Sequence, residues 1–217
     1  MIKKKKASKL YLRKTNELFN LINTSHYVAT GYYVDWLLNY NEEEKVIYLL
    51  FQGSTQKHDW HINLNFPCKV YKHQRNKLLV HRGYKKAWKS TDDIIIDSVE
   101  KLILRTGCHK IIMAGHSYGG ALAMVAGEDI NYRLGIKPII ITFGSPKIFF
   151  GKKTIAYVKT CFESCINYEH SNDIVPKIIW FYRNPNSFEI GKEEKKLKEN
   201  FNINWHLVYK NEKYYKE

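Results

Sequence analysis

The sequence predicts an α/β fold with a mostly parallel central sheet and helices on both of its faces. Three observations carry that prediction. Lys110–Ala114 (KIIMA) and Pro138–Phe143 (PIIITF) are short runs of continuous rather than alternating apolarity, the mark of strands covered on both sides. Helix-like segments stand before and between them, in the helix–strand–turn–helix–strand rhythm of right-handed crossovers. With 217 residues, 44% of them hydrophobic, the chain can bury one large core, so residues 1–217 are expected to form a single domain.

Taken in order, the first element is an amphipathic helix over Leu10–Ile22, with Leu10, Tyr11, Leu18, Phe19, Leu21 and Ile22 as its apolar positions. Strands are expected at Tyr27–Tyr33 and, after the polar turn Asn41–Glu44, at Val46–Phe51. A helix over Thr91–Arg105 follows. Ser90 and Asp93 have capping-box spacing, two aspartates sit where the helix dipole favours them, and Gly107 is placed to end it. Ile95, Val99, Leu102 and Ile103 share one face of that helix. A strand at Lys110–Ala114, a helix at Ala121–Leu134 and a strand at Pro138–Phe143 complete the readable order. The charge-rich tail from Gly191 to Glu217 reads as a surface loop leading into a short segment around Asn202–Tyr209.

Composition excludes several classes. No run approaches the roughly 18 to 20 apolar residues of a membrane-spanning helix. The start MIKKKKASK lacks the apolar stretch that follows the basic end of a secretory signal, which points to a cytoplasmic protein or one peripheral at a membrane surface. Lys and Arg number 35 against 21 Asp and Glu, a net charge of +14 that attracts polyanions, anionic phospholipid headgroups among them. Richness in Lys, Asn, Ile and Tyr also follows from AT-rich coding. With neither an RNA-binding motif nor a helix-turn-helix signature, nucleic acid is not the expected partner. Cys68, Cys108, Cys161 and Cys165 lack zinc-framework spacing and read as reduced thiols, and His58 and His61 in HDWH read as polar residues rather than a metal pair.

Chemistry enters at Gly115-His116-Ser117-Tyr118-Gly119, a G-x-S-x-G match between a predicted strand and a predicted helix. A sharp strand-to-helix turn lifts the serine hydroxyl above the sheet, and its backbone demands small neighbours, which Gly115, Gly119, Gly120, Ala121 and Ala123 provide. The helix N-terminus places amide N–H groups where an oxyanion would form. A serine nucleophile needs a base oriented by an acid. In the chain order Ser, acid, His, only His170 and His206 follow Ser117. Asp173 closes the apolar segment Cys161–Tyr168 and leaves His206 downstream as the base, with Glu163 and Glu169 as alternative acids and His170 or His81 as alternative bases. His116 reads as a packing residue and His81 as a structural one.

These residues resemble the class 3 lipases, the fungal-lipase-like branch of the α/β-hydrolases. The likeness runs through five motifs in order: FQGST at Phe51–Thr55, VHRGYKKAW at Val80–Trp88, GHSYGGALA at Gly115–Ala123, TFGSPKI at Thr142–Ile148 and NDIVPKI at Asn172–Ile178. It implies an α/β-hydrolase fold and a serine ester hydrolase needing no metal or organic cofactor. In that reading Ser117 is the nucleophile, Asp173 the acid and His206 the base. The resemblance also implies an oxyanion hole made by Ser54 and the Tyr118 amide. Gln52, Tyr118 and Lys147 depart from the family's usual Arg, Leu and Arg, and Tyr118 narrows or polarises the acyl pocket. Residues 55–66, with Trp60, Ile62, Leu64 and Phe66 alternating, occupy the family's lid position. The expected substrate is a lipid ester, with acylglycerols first and a phospholipid or short-chain ester as alternatives. A basic, inactive lipid- or nucleic-acid-binding module is the non-enzyme alternative.

Overall fold

The computed structural model describes residues 9–30, 34–53, 68–73, 76–177, 184–190 and 209. Seven strands form one sheet in the order β1-β2-β3-β6-β7-β8-β9. They are β1 (Val28–Thr30), β2 (Val34–Asn41), β3 (Val46–Phe51), β6 (Ile111–His116), β7 (Ile139–Phe143), β8 (Ser164–His170) and β9 (Ser187–Ile190). From β3 through β9 every pairing is parallel, while β1 and β2 join antiparallel at one edge. A separate antiparallel hairpin is made by β4 (Cys68–His73) and β5 (Asn76–His81). The helices are α1 (Lys9–Thr24), α2 (Arg82–Lys89), α3 (Asp92–Thr106), α4 (Tyr118–Leu134) and α5 (Lys152–Cys161).

The unbroken apolarity of the central strands has the predicted cause. Successive side chains point to opposite faces, and each face has its own core. Ile47, Leu49, Phe51, Met113 and Ile140 lie in one cluster with Trp88, Ile95, Val99, Leu122 and Val158, contributed by α2 to α5. Leu50, Ala114, Ile139, Ile141 and Phe143 lie in the other, with Phe19 and Ile22 of α1 and with Tyr209. Gly127 lets α4 approach β7: a Cβ there would fall 2.6 Å from Ile140 Cδ1.

Several expectations need correction at element ends. The first helix and β3 lie where predicted, but the Tyr27–Tyr33 strand is only β1, with residues 31–33 outside the described ones. The long strand β2 was not separated from its surroundings. The capping box does not form. Thr91, not Ser90, is the N-cap of α3; no side-chain cap bond is made, because its hydroxyl shares a hydrogen bond with Thr30 Oγ1 (2.6 Å). Ser90 instead donates to Ala87 O at the end of α2, and Asp93 pairs with Arg133 at 2.9 Å. Gly107 closes α3 at φ 68°, as its position predicts. Cys108, Cys161 and Cys165 carry no disulfide, and burial pushes the Cys165 thiol up to about 12. The sulfur of Cys68, the pair His58 and His61, and the lid-position segment 55–66 fall outside the described side chains.

Candidate active site

Ser117 sits where β6 turns into α4, in a backbone conformation that a non-glycine residue rarely adopts: φ 54°, ψ −122°. Its amide donates to Phe143 O of β7 (2.9 Å), and its carbonyl accepts from Gly120 and Ala121, so both ends of the turn are tied. The neighbouring glycines have individual reasons. A Cβ on Gly115 would fall 2.2 Å from the Gly119 carbonyl carbon, and one on Gly119 would fall 2.2 Å from Phe51 O. Strand, turn and the end of β3 therefore meet backbone to backbone. The amides of Tyr118 and Gly119 head α4, at the positive end of the helix dipole.

Asp173 follows β8 and is fully buried. Its Oδ1 accepts from the Val175 amide (3.0 Å) and its Oδ2 from the Tyr209 hydroxyl (2.6 Å). That hydroxyl also accepts from the His170 amide at 2.9 Å, so Tyr209 bridges the strand end and the carboxylate. Burial and the adjacent Asp173 carboxylate push the Tyr209 phenol well above its usual range, which keeps it a donor. The Tyr209 ring packs against Phe19 and His116, at centroid distances of 6.1 and 5.8 Å. Ser117 and Asp173 thus stand at the carboxyl ends of β6 and β8 with β7 between them, a separation of roughly two strand spacings, or about 10 Å.

Ser54 and His206 lie outside the described residues. Gly53, just past β3, lies against the elbow: a Cβ there would fall 2.9 Å from His116 O. Of the alternative acids, exposed Glu163 lies between α5 and β8, at the opposite end of the strand from Asp173. Glu169 accepts from Ser187, and burial raises its carboxyl. His170, an alternative base, accepts from the Asn172 amide through Nδ1 at 3.2 Å. His116 is a packing residue, edge-on to Phe19 at 5.5 Å. His81 is structural in a specific way: it is the N-cap of α2, its Nδ1 accepts from the Gly83 amide (3.1 Å), and burial lowers its ring to about 4. Tyr118 is half-buried with its ring 5.4 Å from buried Tyr84, so the elbow is flanked by paired phenols. Tyr209 was missed by sequence reasoning; its one legible signal was a place three residues after His206.

Residues 48–182, more than half of the chain, match the family model described as lipase (class 3). The chain belongs to the class 3 lipase family. A lipase of Rhizopus niveus is 29% identical over 143 residues, covering 64% of this chain and 36% of its own length. Secreted mono- and diacylglycerol lipase A of Penicillium cyclopium is 25% identical over 136 residues, covering 61% of this chain and 42% of its own. The chain therefore spans well under half of these relatives. Among solved structures, a Rhizomucor miehei lipase–propeptide complex superposes with a TM-score of 0.72 at 18% identity, over 84% of this chain and 68% of that one. That likeness shows the α/β-hydrolase fold. The cytoplasmic expectation is corrected here: relatives of this class 3 lipase family member include proteins named as secreted, from Penicillium cyclopium and Gibberella zeae. Among its described residues no helix is long and apolar enough to cross a membrane.

Proposed function

We propose that this chain hydrolyses carboxylic esters of lipids, acylglycerols first, through Ser117, His206 and Asp173. Ser117 Oγ attacks the ester carbonyl while His206 takes its proton; His206 then protonates the leaving alcohol, and water releases the acyl group by the same steps in reverse. Asp173 orients the imidazole and stabilises its cation. The Tyr118 amide and Ser54 receive the oxyanion.

The observation that carries this reading is Ser117 itself, a non-glycine residue held at φ 54° on a helix N-terminus, with a fully buried carboxylate two strands away. Two further features support it. Asp173 accepts from the Val175 amide and the Tyr209 hydroxyl, and a carboxylate's two oxygens have lone pairs enough to accept an imidazole N–H as well. Tyr209, which touches Asp173, lies three residues after His206, and three residues span at most about 11 Å.

The test is covalent labelling by a fluorophosphonate, read beside hydrolysis of triglyceride, phospholipid and a soluble short-chain ester. Wild-type protein is expected to label at Ser117 and to turn over acylglycerol. Ser117→Ala is expected to lose the label and retain only the residual rate that binding supplies. Folded wild-type protein that takes no label would overturn the reading in favour of an inactive binding module. Preference for phospholipid or for the soluble ester would move the substrate assignment and leave the mechanism standing.

A further inference from the structure

The chain's positive charge is segregated, and the fold gathers part of it on one rim. Residues 68–91 contain eight lysines and arginines and no acid, and residues 130–162 contain six and no acid, although the chain carries 21 acids in all. These two stretches meet. The His81 amide donates to Ile148 O (2.9 Å), the Phe150 amide donates to Leu79 O (2.9 Å), and the Leu79 amide donates to Thr154 Oγ1 (3.2 Å). Residues 148–150 therefore run along the free edge of β5, and Asn184 holds their other side by accepting from the Ile148 amide (3.1 Å) and donating to Pro146 O (3.1 Å).

That pairing fixes where the cations go. Arg82 opens α2 beside the Ile148 contact, and Lys152 and Lys153 open α5 just past Phe150. All three are exposed, and Phe150 between them is a large apolar side chain 37% exposed. Neither helix has an acid in its first turn, so the positive helix ends add to the lysines instead of being offset by carboxylates. Helix α5 connects parallel strands β7 and β8, which puts its N-terminus at the carboxyl end of the sheet, where Ser117 stands. Tyr84 of α2 touches Tyr118 on that same side.

We propose that the rim of Arg82, Phe150, Lys152 and Lys153 is a docking face that seats the protein on an anionic lipid–water interface with Ser117 turned toward the lipid. Cations around an exposed aromatic ring match anionic headgroups over an apolar layer, whereas a nucleic acid would use the charge and leave the exposed Phe150 without purpose. The proposal deepens the ester-hydrolase reading and rests on it only for the direction the face must point.

Binding is measured by vesicle co-sedimentation in a Ser117→Ala background, so failure of the hydrolase reading would not touch the result. The vesicles are phosphatidylcholine, alone or mixed with phosphatidylglycerol. Partition into the mixed vesicles is expected to exceed that into phosphatidylcholine and to fall as salt rises. Arg82→Gln, Lys152→Gln and Lys153→Gln together are expected to weaken it about 100-fold, at roughly fivefold per basic residue. The control removes equal charge at the other end of the sheet, where exposed Lys45, Lys110 and Lys137 precede β3, β6 and β7. Their glutamine variant is expected to bind nearly as wild type. Equal losses in both variants, binding indifferent to salt or to phosphatidylglycerol, or a rim variant that loses only an oligonucleotide would each overturn the proposal. If the triple variant does not fold, the single variants Lys152→Gln and Lys153→Gln, each expected to weaken partition roughly fivefold against no change for Lys45→Gln, decide the matter.

Discussion

At Ser117 the backbone stores strain that no packing requirement imposes on the side chain itself. The φ of 54° is a region where a residue with a Cβ costs on the order of 1–3 kcal/mol, and glycine relieves that cost while adding back up to about 1 kcal/mol of unfolded-chain entropy. Ser117→Gly is therefore expected to be about 1 kcal/mol more stable than Ser117→Ala, with both inactive, as read from urea midpoints. Equal midpoints would mean that the turn is relaxed. Asp173 poses the opposite case, a buried carboxylate held by the Val175 amide and the Tyr209 hydroxyl among its partners. Tyr209→Phe removes one of them, and a hydrogen bond to a charged group contributes about 1.5–3 kcal/mol. The variant is expected to lose about that much stability and roughly tenfold or more in turnover with KM little changed. A change confined to KM would assign Tyr209 to substrate binding instead. The sequence offered no more for this tyrosine than its place near His206, because its partner is 36 positions away and the contact exists only after β8 has placed Asp173.

At the scale of elements, legibility followed the strength of the periodic signal. Helix α3 was readable because Ile95, Val99, Leu102 and Ile103 repeat at helical spacing and are all buried. Helix α5 was not, since its buried positions are Thr154, Val158 and Cys161 among lysines, and only one of them is strongly apolar. Helix α2 hides for the same reason, with Tyr84, Ala87 and Trp88 inward and four cations in eight residues. Strand β9 was missed because Ser187 and Glu189 are exposed at the sheet's edge and leave too little apolar pattern to read. Helix α2 also depends on its cap. His81 binds a proton near 6.5 in an unfolded chain but only near 4 in the fold, where burial disfavours the charged ring. Between those values the unfolded state takes up a proton that the native state refuses. The stability from the neutral cap is thus complete above pH 6.5 and is lost as pH falls toward 4. Lowering pH from 7 to 5 is expected to cost wild type roughly 2 kcal/mol more than His81→Asn, which keeps an acceptor but no titration. Parallel urea midpoints for the two proteins would remove His81 as the cause.

Across the whole molecule, the strands at the centre of the sheet were legible and those at its margins obscure, while their order was supplied by the fold alone. Continuous apolar runs announce β3, β6 and β7, and a strand flanked on both faces and both edges has no other composition open to it. The convergence of Ser117 with Asp173 was legible only as chain order, and the fold turns that order into distance by placing one strand between them. The glycines of the elbow have a further consequence. Gly115 and Gly119 are demanded by crossing backbones, so a descendant that had given up hydrolysis would still have to spell them. Ser117, between them, meets no such packing demand: glycine would sit at its φ of 54° at less cost, so a serine there answers to the proposed hydrolysis and not to the carpentry of the turn.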